Sequence, residues 1–250
     1  MRLEKYHGLG NDFLVLLDLD ARHPLEGEEV RALCDRHRGV GADGVIRVTA
    51  GPTMELYNAD GGRAEISGNG LRCLARAVVD AGVATGPNLS IATDAGPRDV
   101  RVGDDGMVSV EMGTARLHDV ADELLPPGAL RATRVDMGNP HLVLLIDGPP
   151  PDEVAESAAA RAAADGVNVE VVTVGPEAGT LTMRVWERGV GETLSCGTGA
   201  CAAAVATRAW GLADDHVVVH QPGGDLRVNL TGETVVLTGP AVHVCSVEVG

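Results

Sequence analysis

The chain has 250 residues, 44% apolar and only 2% aromatic, with a formal net charge of −16. That length holds one large or two medium domains, with a core built from Val, Leu, Ala and Ile. The acidity, with no basic run and no aromatic-plus-basic patch, argues against nucleic acid and anionic membrane as partners, and leaves room for an anionic small molecule held by local donors.

In chain order, alternation predicts strands over 2–7 and 12–18 around a turn at Gly8-Leu9-Gly10-Asn11. A short helix over 28–36 follows the break from Pro24 to Gly27, and a glycine-rich loop, Arg38 to Gly44, leads into a strand over 45–48. Residues 54–58 and 63–66 read as a hairpin, 70–81 as a strongly apolar helix ending near Gly82, and 89–93, 98–102 and 107–112 as strands. Gly113, Pro126, Pro127 and Gly128 mark a linker over 113–130. Strands then fall at 132–136 and 141–146, an Ala-rich helix at 152–164, and strands at 167–174 and 180–187. A second apolar helix covers 198–211, and strands at 216–220, 225–229, 233–237 and 241–248 finish the chain. Helices apolar around most of their circumference are buried. The expected fold is therefore α/β: two similar pseudo-symmetric domains, each a mostly antiparallel or mixed sheet wrapped around a central apolar helix. The domains are expected over 1–116 and 117–250, with the last strand able to return to the first and the site between them.

No apolar run approaches membrane-spanning length, and Met1-Arg2-Leu3-Glu4-Lys5 has no apolar signal core, so a soluble cytoplasmic protein is expected. Cys34, Cys73, Cys196, Cys201 and Cys245 are odd in number and lack metal-like spacing, which disfavours both a disulfide framework and a metal site. Lys5 is the only lysine and lies in a strand. A pyridoxal phosphate enzyme needs a Schiff-base lysine, so amino-acid chemistry here would run without that cofactor, and no cofactor is expected.

The most informative feature is a device built twice. Tyr57 to Gly70 and Trp186 to Gly199 each read as strand, glycine turn, short return strand, Gly-x-Gly and apolar helix. In each copy the aromatic precedes a small polar side chain by ten positions, Ser67 in one and Cys196 in the other. A Gly-x-Gly at a helix start aims unpaired N–H groups outward as an anion pocket. A cysteine there is expected to have its pKa lowered from roughly 8.5 toward neutral. Cys196 thus reads as a general base or nucleophile, or as a small core residue; the duplication favours the first. Ser67 reads as the equivalent group or simply as a helix N-cap. Cys73, Cys201, Cys34 and Cys245 read as packing residues. Asn11, Asn58, Asn139 and Asn168 sit at strand ends or turns, where asparagine commonly satisfies its own backbone. Glu187 and Arg188 could hold the ammonium and carboxylate of an amino acid, or form a solvated pair. His141 has a catalytic reading and a structural one, and the structural one is favoured.

Seven motifs in order then resemble the diaminopimelate epimerase family. They are Lys5 to Phe13, His37 to Gly44, Asn58-Ala59-Asp60-Gly61, Gly68 to Cys73, Met137 to His141, Glu187 to Thr193, and Cys196 to Cys201. The resemblance implies cofactor-independent interconversion of LL- and meso-diaminopimelate, a step toward lysine and peptidoglycan, by a homodimer. It implies a pair of cysteines facing the α-carbon, one removing the proton and the other returning it from the opposite face. Cys196 matches one of them. Asn11, Asn58, Asn139, Asn168, Glu187 and Arg188 match substrate contacts, and Gly68-Asn69 and Gly197-Thr198 match the backbone donors for the α-carboxylate. Gly44 stands where some members carry glutamine. The family has cysteine where this chain has Ser67, which mismatches the acid–base pair. Three accounts stand: an engineered change, a natural variant of lower activity, or a relative with another reaction, such as a one-base dehydratase or a racemase of another amino acid. A binding protein that lost turnover is the rival of a different class.

Overall fold

Ten elements occur in one order and then occur again. A computed structural model describes residues 1–119, 125, 126 and 128–250. The first run is β1 (Arg2–Gly8), β2 (Asn11–Leu17), α1 (Gly27–Cys34), β3 (Gly44–Thr49), β4 (Thr53–Asn58), β5 (Arg63–Ala64), α2 (Gly68–Asp80), β6 (Asn88–Ile91), β7 (Arg98–Val102) and β8 (Met107–Gly113). After β9 (Arg116–Asp119) come β10 (Arg131–Asp136), β11 (Pro140–Leu145), α3 (Asp152–Ala164), β12 (Asn168–Val174) and β13 (Thr180–Glu187). The second run ends with β14 (Gly191–Thr193), α4 (Gly197–Ala209), β15 (His216–Gln221), β16 (Gly224–Asn229) and β17 (Val235–Pro240), and the chain closes with β18 (Val242–Glu248). It divides into two units, Met1–Glu111 with Thr238–Gly250, and Met112–Leu237.

The pairings repeat with the elements. In the first unit the sheet runs β18-β1-β2-β3-β4-β5, parallel only between β2 and β3. In the second, β9-β10-β11-β12-β13-β14 repeats that series, parallel only between β11 and β12. The parallel step in each case spans a helix, α1 or α3, as a parallel connection requires. Strand β9 lies inside the segment expected to be a linker. It occupies in its unit the place that β18, from the chain's end, occupies in the other. Pro127 of that expected linker lies outside the described residues.

The central strands of each sheet are buried on both faces. Residues Asp12–Leu16 of β2 and Gly44–Val48 of β3 are buried in unbroken series, so they read as apolar runs rather than alternation. One face packs on α1 through Leu14, Leu16, Val30, Leu33, Val45 and Tyr57. Trp186 does the same beneath α3, with Leu142, Leu144, Val154 and Val169. The other face holds the central helix. Helix α2 packs on β1, β2 and β7, and α4 on β10, β11, β12 and β16. Both are buried along most of their length, α2 with leucines and α4 mainly with alanines. Cys34, Cys73 and Cys201 are buried, as expected of packing residues, whereas Cys245 is exposed on β18. The β1–β2 hairpin turns on Leu9 and Gly10, both at positive φ (56° and 89°). Positive φ at two central residues matches the twist of a two-residue hairpin, and Leu9 is strained to provide it.

Ala200, Ala202, Ala203, Ala204 and Ala206 are all fully buried, so α4 has no room for longer side chains. Ala203→Leu is expected to lower stability by about 1–3 kcal/mol through overpacking, read as a lower urea midpoint.

Candidate active site

The two copies of the device have the same backbone geometry. Ser67 (φ −140°, ψ 125°) and Cys196 (φ −124°, ψ 118°) are the N-cap residues of α2 and α4. Each side chain accepts a hydrogen bond from the third helical residue: Ser67 Oγ from Gly70 N at 3.1 Å, Cys196 Sγ from Gly199 N at 3.3 Å. The capping role of Ser67 is therefore real, and Cys196 shares it. The third position of both helices is crowded, more so in α4. A Cβ on Gly70 would lie 3.2 Å from Ser67 Cβ, and one on Gly199 would meet Glu170 Oε1 at 2.6 Å. Gly68-Asn69 and Gly197-Thr198 form the first helical positions, whose N–H groups have no intrahelical acceptor.

In the first unit, Asn11 begins β2 and meets Asn69 across the helix start, Asn69 Nδ2 donating to Asn11 Oδ1 at 3.1 Å. Asn11 in turn donates to Asp43 Oδ2 at 2.8 Å. Asn58 ends β4 and is exposed. Gly44 pairs with Asn58 in register, and a Cβ there would sit 2.5 Å from the Tyr57 carbonyl. The backbone thus leaves no space for a side chain at Gly44.

In the second unit the register carries the same positions. Asn168 faces His141 on β11, as Gly44 faces Phe13 on β2. Asn139 precedes β11 as Asn11 opens β2, and Glu187 ends β13 as Asn58 ends β4. Asn139 Nδ2 donates to Thr198 Oγ1 at 3.4 Å, the counterpart of the Asn11–Asn69 contact, and Thr198 Oγ1 lies 3.5 Å from Cys196 Sγ. Behind Asn139, His141 Nε2 meets its Oδ1 at 3.0 Å, and His141 Nδ1 meets Glu170 Oε1 at 2.7 Å. His141 and Glu170 are buried, which fits the structural reading of His141. Asn168 Oδ1 accepts from Arg188 N at 2.9 Å, while the Arg188 side chain is exposed. Glu187 accepts from Thr193 Oγ1 at 2.6 Å. Gln221 Oε1 accepts from Cys196 N at 2.8 Å and pins the cap residue to β15.

The electrostatics correct one expectation. Cys196 is not a ready thiolate. Burial, then the carboxylates of Glu187 and Glu170, push its thiol well above the ordinary value, and the bonds from Thr198 and Gly199 N only partly offset this. Burial dominates because Cys196 is only 5% exposed, and the two neighbouring carboxylates add to it against the donors of the helix start. Burial also raises the pKa of Glu187, against the lowering effect of Thr193 and of a hydrogen bond with Cys196. The resting site therefore holds a protonated thiol next to a carboxyl group suited to exchange a proton with it. Asp43, Arg72, Glu170 and Gln221 were not singled out from the sequence. The available signal was a charge inside an apolar stretch: Arg72 in α2 and Glu170 in the valine-rich β12.

Comparison with known proteins gives a consistent result. A family model described as Diaminopimelate epimerase matches residues 3–118 and 133–244, one segment for each run of elements. The diaminopimelate epimerase of Mycobacterium ulcerans (strain Agy99) is 39% identical, covering 100% of this chain and 97% of its own. That of Thermobifida fusca (strain YX) is 39% identical, covering 100% and 98%. Among solved structures, a phenazine biosynthesis protein of the PhzF family from Bacillus anthracis superposes with TM-score 0.74 at 18% identity, over 100% of this chain and 98% of that one. A predicted epimerase from Pseudomonas aeruginosa gives 0.74 at 16% identity, over 99% and 98%. At such identities these structures speak to fold alone. They bear out the expected α/β architecture of two similar halves, each a sheet around a central helix.

The protonated thiol predicts slow alkylation. Iodoacetamide labelling of Cys196, followed by mass spectrometry of its peptide, should rise only at a pH above the range in which an ordinary cysteine reacts. Glu187→Gln removes a nearby negative charge and should move that rise to lower pH.

Proposed function

We infer the activity of this chain from its family: it belongs to the diaminopimelate epimerases. It is an amino-acid epimerase that interconverts LL- and meso-diaminopimelate, a reaction of lysine biosynthesis. The observation that carries the site assignment is the matched pair of helix caps, Ser67 Oγ on Gly70 N and Cys196 Sγ on Gly199 N. In this reading residues 67 and 196 serve opposite faces of the substrate α-carbon. The helix-start amides at Gly68-Asn69 and Gly197-Thr198 hold the α-carboxylate, where charge grows as the α-proton leaves. Asn11, Asn58, Asn139, Asn168, Glu187 and Arg188 hold the rest of the substrate.

The proton inventory sets the direction. To act as base, Cys196 first passes its proton to Glu187. The thiolate then takes the α-proton, leaving a carbanion delocalised into the carboxylate, and a donor on the other face completes inversion. In the reverse sense Cys196 is already the required acid, and residue 67 must be the base. A serine hydroxyl ionises far less readily than a thiol, so this chain is slow, above all where residue 67 must abstract. No pyridoxal phosphate takes part. The only lysine, Lys5, is committed to Asp12 at 2.9 Å and to the Gly41 carbonyl at 2.6 Å. The working form is a cytoplasmic homodimer. Val242 and Val244, 44% and 52% exposed on the edge strand β18, support association with a second copy.

Incubation with LL-diaminopimelate in deuterated water tests this. Inversion with α-deuterium incorporation is expected, slowly, and Ser67→Cys should accelerate it by about 10²–10⁴-fold. Exchange without inversion would mean a one-base site at Cys196. Tight binding with no exchange would mean a binding protein. An unchanged rate in Ser67→Cys would remove residue 67 from the reaction.

A further inference from the structure

The first unit contains a hydrogen-bond chain whose direction is set from both ends. At one end is Arg72, a fully buried guanidinium in α2. Guanidinium groups only donate. Arg72 Nη2 lies 2.7 Å from Asn69 Oδ1, so the Asn69 carbonyl faces it. The Asn69 Nδ2 group is then turned to Asn11 Oδ1 at 3.1 Å, and Asn11 Nδ2 to Asp43 Oδ2 at 2.8 Å. At that far end a carboxylate only accepts. Flipping either amide would set donor against donor or acceptor against acceptor at both of its contacts.

Both ends are anchored. Arg72 also donates to the carbonyls of Gly68 (3.3 Å) and Pro240 (3.2 Å). Asp43 Oδ1 accepts from Arg36 at 2.7 Å, and its Oδ2 accepts from Asp12 N at 3.0 Å. Arg36 grips both oxygens of Asp12, at 2.7 and 3.1 Å. The fit is tight enough to shape the first motif of the sequence. A Cβ on Gly8 would lie 2.9 Å from Arg72 Nη2 and 3.4 Å from Asn69 Cβ.

We propose that Arg72 and Asp43 are positioning residues: the one-way chain Arg72→Asn69→Asn11→Asp43 locks the Asn11 amide in the single orientation in which it meets the substrate. The proposal rests on the reading of Asn11 as a substrate contact. Neither Arg72 nor Asp43 touches the reacting atoms in this scheme. The second unit orients Asn139 by different means, from Glu170 through His141, so each unit has its own device for one asparagine.

The test uses Asp43, at the more accessible end, in the full-length protein. Asp43→Ala removes the terminal acceptor and should weaken binding of LL-diaminopimelate, read by calorimetry, at least tenfold. Asp43→Asn keeps an accepting oxygen and should restore affinity to within about threefold of the original. A merely structural role for Asp43 would lower the thermal midpoint in both variants without this split. Wild-type affinity in Asp43→Ala, or failure of the Asn variant to rescue at an unchanged thermal midpoint, overturns the proposal. A second readout needs no substrate. The Asn11 side-chain amide resonances, assigned by their loss in Asn11→Asp, should shift in Asp43→Ala and in Arg72→Lys and stay near their original positions in Asp43→Asn. If those resonances do not move in Asp43→Ala, the chain is not locked and the proposal fails. If the unaltered protein does not bind diaminopimelate, the substrate assignment fails, and the amide resonances still decide whether Arg72 and Asp43 orient Asn11.

Discussion

A helix buried along its sides can offer a ligand only its ends. That constraint organises each unit of this protein. Helices α2 and α4 are packed by their own sheets, so their chemistry is concentrated in the first turn, where backbone N–H groups lack intrahelical acceptors. The residue that caps that turn places its side chain beside those donors, and it is serine in one copy and cysteine in the other. The flanking strands deliver the remaining polar groups by register: Asn11 and Asn139 at one strand junction, Asn58 and Glu187 at another.

Duplicate geometry does not mean duplicate electrostatics. The buried charge behind the α2 start is a cation, Arg72, and behind the α4 start it is a carboxylate, Glu170, paired with His141. Glu170 works with burial against ionisation of Cys196. The position equivalent to Arg72 in α4 is Cys201, a buried packing residue, so the cation buried in one copy has no counterpart in the other.

Most of the fold was legible because the pattern is strong. Both central helices stand out as long segments rich in Ala, Val, Leu and Cys, and the paired strands fall between glycine and proline breaks. Strand β9 was missed. Its four residues, Arg116-Leu117-His118-Asp119, carry little alternation and lie among linker-like glycine and proline. Only its role as counterpart of β18 marks it, and that role requires knowing that the end of the chain returns to pair with β1. The capping sites were legible as Ser67 and Cys196 before Gly-x-Gly. The acidity of the thiol was not, since a helix start by itself argues for a thiolate.

The amino-acid sequence by itself determined the duplication, the two cap residues, the absence of a lysine suited to a Schiff base and the family. These are properties of local pattern and spacing, and they survive without coordinates. Tertiary structure decided what the local pattern could not. It set how deeply Cys196 is buried, brought Glu170 to within reach of Gly199 and Cys196, and joined Arg72 to Asp43 through two asparagines distant in the chain. Burial and long-range charge are sums over neighbours contributed by separate strands and helices, and only the folded chain brings those neighbours together.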